Sequence, residues 1–390
     1  MKIGSIDILK AYLGALELTN SNAFIGTIPV IENGPEPVSY PGLKFTSTGN
    51  STIAMSKNGS APTVDLKYSL DDGETWTQWD FSEISLSDGQ SVCFKGLNTT
   101  FATGVSVYNK FVMTGSIAAS GNIMSIIDDG ACTTTTIHDN YCFCNLFYRC
   151  SSLTTAPELP ATRLADYCYS SMFSSCTSLT TTPALPATIL AKGCYNGMFD
   201  MCSKLTDAPT LPATRLADYC YSYMFSNCTS LTTAPELPAT ILANDCYTNM
   251  FAGCTSLTTA PELPATTLKN NCYKYMFYGC SKLTTAPALP ATTLAQNCYQ
   301  NMFQGCTEIT TAPELHATKL ANYCYKYMFY GCTKLNYIKC LATNISAYNS
   351  TSNWVKDIAA TGTFVKNASM TGWTTGANGI PSGWTVQNAA

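Results

Sequence analysis

Residues 153–176 read LTTAPELPATRLADYCYSSMFSSC, and the unit returns with small changes from Leu179, Leu205, Leu231, Leu257, Leu283 and Ile309. Cysteine pairs eight residues apart start at Cys142, Cys168, Cys194, Cys220, Cys246, Cys272, Cys298 and Cys324, each start 26 residues after the last. A fixed period of this length marks a solenoid, because one unit cannot cover its own apolar face and must stack on its neighbours. Within a unit, Leu153, Thr154, Thr155 and Ala156 suit a short strand, and Pro157 and Pro160 force a bend. Thr162 is placed to cap a helix running to about Cys176. On that helix Leu164, Cys168, Met172 and Cys176 recur every fourth residue, flanked by Tyr169 and Phe173, which predicts one broad apolar face.

Working outward, the whole chain has 390 residues, 46% of them apolar, enough for two or three domains with buried cores. Its 21 basic and 25 acidic residues form no basic run, so no nucleic-acid partner is expected. Charged residues make up only 12%, and the abundant Thr, Ser, Asn and Tyr give a surface suited to polar, uncharged ligands. Asp7, Lys10 and Glu17 interrupt the segment Ile3 to Leu18, so no secretory signal is expected there. No window holds the roughly 18 consecutive apolar residues of a membrane span, so no membrane insertion is expected either.

The 20 cysteines invite a disulfide or zinc reading. Eight residues of helix would set Cys168 and Cys176 roughly 12 Å apart, at ~1.5 Å per residue. A disulfide needs Cα atoms within about 7 Å. There is no CxxC, and His138 and His316 are the only histidines, so zinc lacks a ligand set. Reduced thiols acting as small core residues are expected, with bridges between neighbouring coils as the alternative.

The motif Phe-x-x-Cys-x-x-Leu runs Phe173 to Leu179, Phe199 to Leu205, Phe225 to Leu231, Phe251 to Leu257, Phe277 to Leu283 and Phe329 to Leu335, with Ile309 replacing Leu after Phe303. In this it resembles the BspA-like leucine-rich repeats over roughly residues 140–340. It departs from them in its Ala-Pro-x-Leu-Pro segment and longer repeat. The resemblance implies adhesion or partner binding, without catalysis or cofactor. The expected fold is α+β: an N-terminal β sandwich, a leucine-rich-repeat-like α/β solenoid of eight 26-residue repeats, and a small C-terminal cap.

Gly34, Pro35, Glu36 and Pro37 mark a boundary, giving an expected docking leader (1–34), sandwich (35–135), solenoid (136–340) and cap (341–390). In the sandwich, Val64, Leu66 and Tyr68 alternate with Asp65 and Lys67, and Asp71, Asp72 and Gly73 make a hairpin turn. Ser69, Asp71, Gly73, Thr75 and Trp76 match the Asp-box pattern S-x-D-x-G-x-T-W, which resembles the hairpins of sialidase propellers. It occurs once, and the only arginines, Arg149, Arg163 and Arg215, lie in the repeats, so a structural hairpin with Trp76 packed into the sandwich is expected. After Cys340, Trp354, Ile358, Phe364, Trp373, Ile380 and Trp384 supply apolar groups for a cap, with Trp373 and Trp384 as sugar-stacking platforms in the alternative.

Met1 to Leu18 read KIGSxDIxKxYLGxxEL from Lys2, which resembles the leader of structural proteins of tailed phages of gut Bacteroidetes, including crAss-like phages; the alternative is the first strand of the β domain. That resemblance implies a virion fibre or decoration protein, assembled in the host cytoplasm and docked by its N-terminus to other virion proteins. A homo-oligomer is expected. A bacterial cell-surface adhesin is the alternative.

Comparison of the coils suggests where a host-surface polysaccharide or protein would be held. One position runs Ser170, Asn196, Ser222, Thr248, Lys274, Gln300, Lys326; a second runs Ser174, Asp200, Ser226, Ala252, Tyr278, Gln304, Tyr330; a third runs Ser171, Gly197, Tyr223, Asn249, Tyr275, Asn301, Tyr327. Tyr, Ser, Asn and Gly favour adaptable recognition, although solvent exposure alone also produces variation. The candidate ligand-binding residues are Tyr223, Tyr275, Tyr278, Tyr327 and Tyr330. The Thr-rich strand face, with Thr154, Thr180, Thr232, Thr258 and Thr284, is the rival surface.

Overall fold

Short stretches of alternating apolar and polar residues build two sheets in the first part of the described chain. The computed structural model describes residues 39–390. The expected docking leader and the Gly34 to Pro37 boundary lie outside the described residues. Nine strands follow one another: β1 (Lys44–Ser47), β2 (Ser51–Asn58), β3 (Lys67–Ser69), β4 (Thr77–Gln78), β5 (Ile84–Leu86), β6 (Ser91–Lys95), β7 (Ala102–Gly104), β8 (Val107–Thr114) and β9 (Ile117–Ser120). The longest pairing is antiparallel, β2 against β8, from Thr52↔Thr114 to Asn58↔Tyr108. It lies in a four-stranded sheet ordered β5-β2-β8-β7. The other sheet runs β10-β9-β1-β6-β3-β4, where β10 (Leu153–Thr155) belongs to the first full repeat and pairs parallel to β9. The sandwich and the solenoid therefore share one sheet.

Phe45, Phe94, Phe111 and Trp79 fill the space between the sheets, with Phe45 5.2 Å and Trp79 6.1 Å from Phe111. Trp79, three residues beyond the end of the Asp-box at Trp76, is the core tryptophan. Trp76, expected there, is only half-buried and packs on Tyr40 at 5.0 Å with Lys95 4.8 Å from its ring. The Asp-box residues knit their own turn: Ser69 Oγ donates to Asp71 at 2.6 Å and the Thr75 amide donates to Asp71 at 2.9 Å. These bonds hold the Asp71 carboxyl down at about 2.

The helix expected in each coil is not there. The described residues contain no α-helix, only a one-turn 3-10 helix at Ile123–Ile126. Instead the chain turns every four residues, with Tyr167, Ser171 and Ser175 at φ 55°, 52° and 63°. The pattern recurs at Gly193, Gly197 and Met201, and at every later coil to Tyr323, Tyr327 and Gly331. Amides alternate in their use. Ser170, Met172, Ser174 and Cys176 donate three residues back, to Tyr167, Tyr169, Ser171 and Phe173, while Tyr169, Ser171, Phe173 and Ser175 donate to Cys194, Asn196, Met198 and Asp200 of the next coil.

The physical reason is in the repeat itself. An α-helix spends its interior amides internally, leaving none to bond a neighbouring coil, and a strict four-residue period drifts by about 40° per step around a helix of 3.6 residues per turn. A four-residue turn with one left-handed residue has no such drift. It places Cys168, Tyr169, Met172, Phe173 and Cys176 inward in every coil.

The stacked aromatics make two columns. Phe111, Phe147, Phe173 and their successors to Phe329 stack 5.3–5.8 Å apart with nearly parallel rings. Phe101, Phe143, Tyr169 and the tyrosines to Tyr325 form the second. Both meet Trp354, 6.0 Å from Tyr325 and 6.3 Å from Phe329.

The turn ladder runs one coil beyond Cys340, through Asn349, Asn353 and Asp357 at positive φ. Ser350 stands where the preceding coil has Cys324, and Trp354 where it has Met328. Three parallel strands, β11 (Tyr337–Cys340), β12 (Thr363–Lys366) and β13 (Thr385–Asn388), continue the strand face. Trp373 stacks on Trp354 at 5.6 Å, and Trp384, 7% exposed, donates to the Ala359 carbonyl at 2.8 Å, so both pack inward as closing groups.

Candidate ligand-binding site

The left-handed turn position organises the surface beside it. Of the three variable positions, the one from Ser171 to Tyr327 is itself the left-handed residue of a turn, so its Gly and Asn content answers first to the backbone. The other two are not uniformly outward. Ser170, Ser222, Ser174, Ser226, Thr248 and Ala252 are buried, which corrects the expectation that these rows are a solvent face. Small residues occupy the rows in the first coils, and Tyr, Gln and Lys occupy them from Lys274 onward.

There the wall opens into a groove of about 520 Å³, lined by Asn249, Tyr275, Tyr278, Asn301, Gln304, Tyr327, Tyr330, Asn353 and Lys356. Four of the five candidate tyrosines line it together. They form two edge-to-face pairs, Tyr275 with Tyr278 and Tyr327 with Tyr330, each with ring centroids 5.8 Å apart. The pairs are two coils apart, or roughly 10 Å at ordinary strand spacing. The intervening coil contributes Asn301 and Gln304, both shorter side chains than tyrosine, to the lining between them. Tyr223 is not part of the lining; it stands 45% exposed two coils before Tyr275. Burial, then the neighbouring phenols Tyr278, Tyr223 and Tyr327, push the Tyr275 hydroxyl up.

Asn301 donates its Nδ2 to Gln304 Oε1, while its Oδ1 is buried without a partner among the described residues. Lys274 and Lys326 hold their ammonium groups 5.5 and 5.3 Å from the rings of Tyr275 and Tyr327, and Lys356 lies 5.5 Å from Tyr330. Sequence reasoning missed Asn353 and Lys356 because the cysteine pattern ends before their coil. Extending the 26-residue period from Tyr327 and Tyr330 would have found them.

The rival Thr face is partly committed to the fold. Thr180 and Thr284 donate their hydroxyls to the carbonyls of Thr154 and Thr258 in the preceding coil, at 3.2 and 3.3 Å. Beside it, grooves between successive Ala-Pro-x-Leu-Pro segments, such as Pro235 and Pro238 against Pro261 and Pro264, have Glu236 and Glu262 as their charged groups.

The thiols face inward. Cys176, Cys202, Cys228, Cys254, Cys280, Cys306 and Cys332 donate to the carbonyl of the phenylalanine 29 residues earlier, at 3.0–3.1 Å. Burial pushes such thiols up, to about 12 at Cys254, Cys272 and Cys332. That is the wrong direction for nucleophiles, which need a lowered value.

Residues 133–258 and 222–352 match the family model of the BspA type leucine rich repeat region, in six copies. These two segments span more than half of the chain. No curated protein and no solved structure matches it. No helix among the described residues is long and apolar enough to cross a membrane.

Proposed function

The chain belongs to the family of BspA-type leucine-rich-repeat proteins, repeats of a surface or adhesion type, and we propose that it is a non-catalytic attachment protein whose tyrosine groove holds a host-surface glycan. The observation that carries this reading is the convergence of Tyr275, Tyr278, Tyr327 and Tyr330 with four amide side chains in one groove. Tyrosine offers a rigid apolar ring with a polar edge, and flanking amides supply adaptable donors and acceptors. Sugars present both C–H faces and hydroxyls.

The finer role is that of a virion fibre or decoration protein, docked by its N-terminal leader to other virion proteins and presented as a homo-oligomer. The leader's resemblance to phage structural proteins supports it. A bacterial cell-surface adhesin with the same groove is the alternative, and antibody labelling of purified particles separates the two. The groove is tested by replacing Tyr275, Tyr278, Tyr327 and Tyr330 with Ser. Attachment to host cells should be abolished while thermal unfolding stays nearly unchanged. If attachment survives, and is lost instead when Thr232, Thr258 and Thr284 become Lys, the strand face is the binding surface.

A further inference from the structure

The charge around the tyrosine groove is opposite in sign to that of the chain, whose formal net charge is −4. The groove lining contains Lys356 and no Asp or Glu. Two more ammonium groups, those of Lys274 and Lys326, sit against rings of the lining, and Lys326 lies 5.3 Å from Tyr323 as well. None of these three lysines takes part in the four ion pairs among the described residues. Elsewhere Lys44, Lys334 and Lys339 are each held by a carboxylate at 2.7–2.9 Å. The nearest acid in sequence, Asp357, is exposed and outside the lining. Three ammonium groups outside those ion pairs therefore lie in or beside a lining that holds no carboxylate.

The lining also holds a buried amide whose bonding is incomplete. Asn301 is 4% exposed, yet its Oδ1 has no partner, and leaving a buried acceptor unpaired is costly. Its Nδ2 is used on Gln304 Oε1, which leaves the Gln304 amide NH2 without a protein acceptor among the described residues. Gln304 is half-buried, so its amide is the reachable end of this pair.

We infer that the groove selects acidic polysaccharides, bearing carboxylate or sulfate groups, over neutral ones. This deepens the glycan reading above and rests on it. Sugar rings lie against the tyrosine faces and hydroxyls meet Gln304 and Asn353. The anionic substituents meet Lys274, Lys326 and Lys356. Each ammonium lies 5.3–5.5 Å from a tyrosine ring of the lining and outside the ion pairs, so a ligand anion can pair with it. Such exposed pairs are individually weak and screened by salt, so the preference depends on several acting together.

The test measures binding of the full chain to dextran, polygalacturonate and dextran sulfate, at low and high salt, beside single-stranded oligothymidylate. Polygalacturonate, dextran sulfate or both should bind about tenfold more tightly than dextran at low salt, and the stronger of the two identifies carboxylate or sulfate as the preferred group. The combined variant Lys274→Gln, Lys326→Gln, Lys356→Gln should bring acidic binding down to the level at which the same variant binds dextran. Equal binding of dextran, or a preference that survives this variant, overturns the inference and leaves the glycan groove standing. Failure of all three polysaccharides to bind, or binding unaffected by the four Tyr→Ser changes, overturns the glycan reading itself. Oligothymidylate bound as tightly as the acidic sugars would reveal a general polyanion surface and also overturn the inference.

Discussion

A left-handed residue recurs every four positions along each turn ladder, and its chemistry can be probed one side chain at a time. Gly279 has φ 70°, and a Cβ built there would meet only the Gly253 backbone, at 4.0 Å. Space is available, so the cost of a side chain is purely conformational. Gly279→Ala should destabilise the chain by ~1–2 kcal/mol and Gly279→Asn by clearly less, since Asn tolerates this region. Denaturant midpoints of the two variants check the ordering. The cysteines allow a second contrast. Cys228 donates its thiol to the Phe199 carbonyl at 3.1 Å, whereas Cys220 is fully buried and its thiol has no recorded partner among the described residues. A serine hydroxyl keeps a donor at the first site and strands a polar group at the second. Cys220→Ser should therefore cost ~1–3 kcal/mol and Cys228→Ser less, measured by the same unfolding curves.

At the scale of the element, the repeat length, the stacking, and the buried identities of Cys168, Tyr169, Met172, Phe173 and Cys176 were all legible in the sequence. The path between them was not. Every-fourth-residue apolarity looks like one side of a helix, and only the recurrence of Asn and Gly at the intervening positions, as in Asn249 with Gly253 or Asn301 with Gly305, points to repeated left-handed turns. The tyrosines at that position, Tyr275 and Tyr327, hide the signal because bulky residues are uncommon there. The candidate groove was legible for the related reason that its tyrosines interrupt an otherwise small-residue row. The thiol columns give this element a pH response. An unfolded thiol titrates near about 8.5, while burial raises Cys254, Cys272 and Cys332 to about 12. A folded value above the unfolded one means the stabilisation is complete below about pH 8.5 and is lost as pH rises toward the folded value. Each such thiol should remove ~1.4 kcal/mol per pH unit within that window. The solenoid should unfold steeply in mild alkali, and Cys254→Ala should flatten the dependence. A stability that stays level from neutral pH to about pH 10 would contradict the buried-thiol account.

At the scale of the molecule, the two ends of the stack are closed by different means. At the first coil the sandwich supplies matching hydrogen bonds, with Phe101, Phe111 and Ile117 amides donating to Cys142, Leu146 and Ser152 at 2.8–2.9 Å, and Phe111 begins the phenylalanine column. At the last, one side chain ends both aromatic columns: Trp354 is fully buried, stacks on Trp373, and donates to the Gly379 carbonyl at 2.9 Å. Its membership of a cap was expected from the sequence, but its register, at the position of the repeat's methionine, was not. Stability in a stacked array is the sum of unit and nearest-neighbour terms, so damage stays near where it is made. Trp354→Ala should cost ~3–5 kcal/mol, and the loss should appear first in the last coils. Amides of Tyr325, Tyr327, Phe329 and Gly331, which donate to Ser350, Ser352, Trp354 and Lys356, should lose hydrogen-exchange protection. Those of Phe101, Phe111 and Ile117 should keep it. The same coils hold Tyr327, Tyr330, Asn353 and Lys356 of the groove, so ligand binding should fail at a temperature where the sandwich is still folded. Uniform loss of protection along the chain would mean that solenoid and sandwich unfold as one unit, and the closing role assigned to Trp354 would then be wrong.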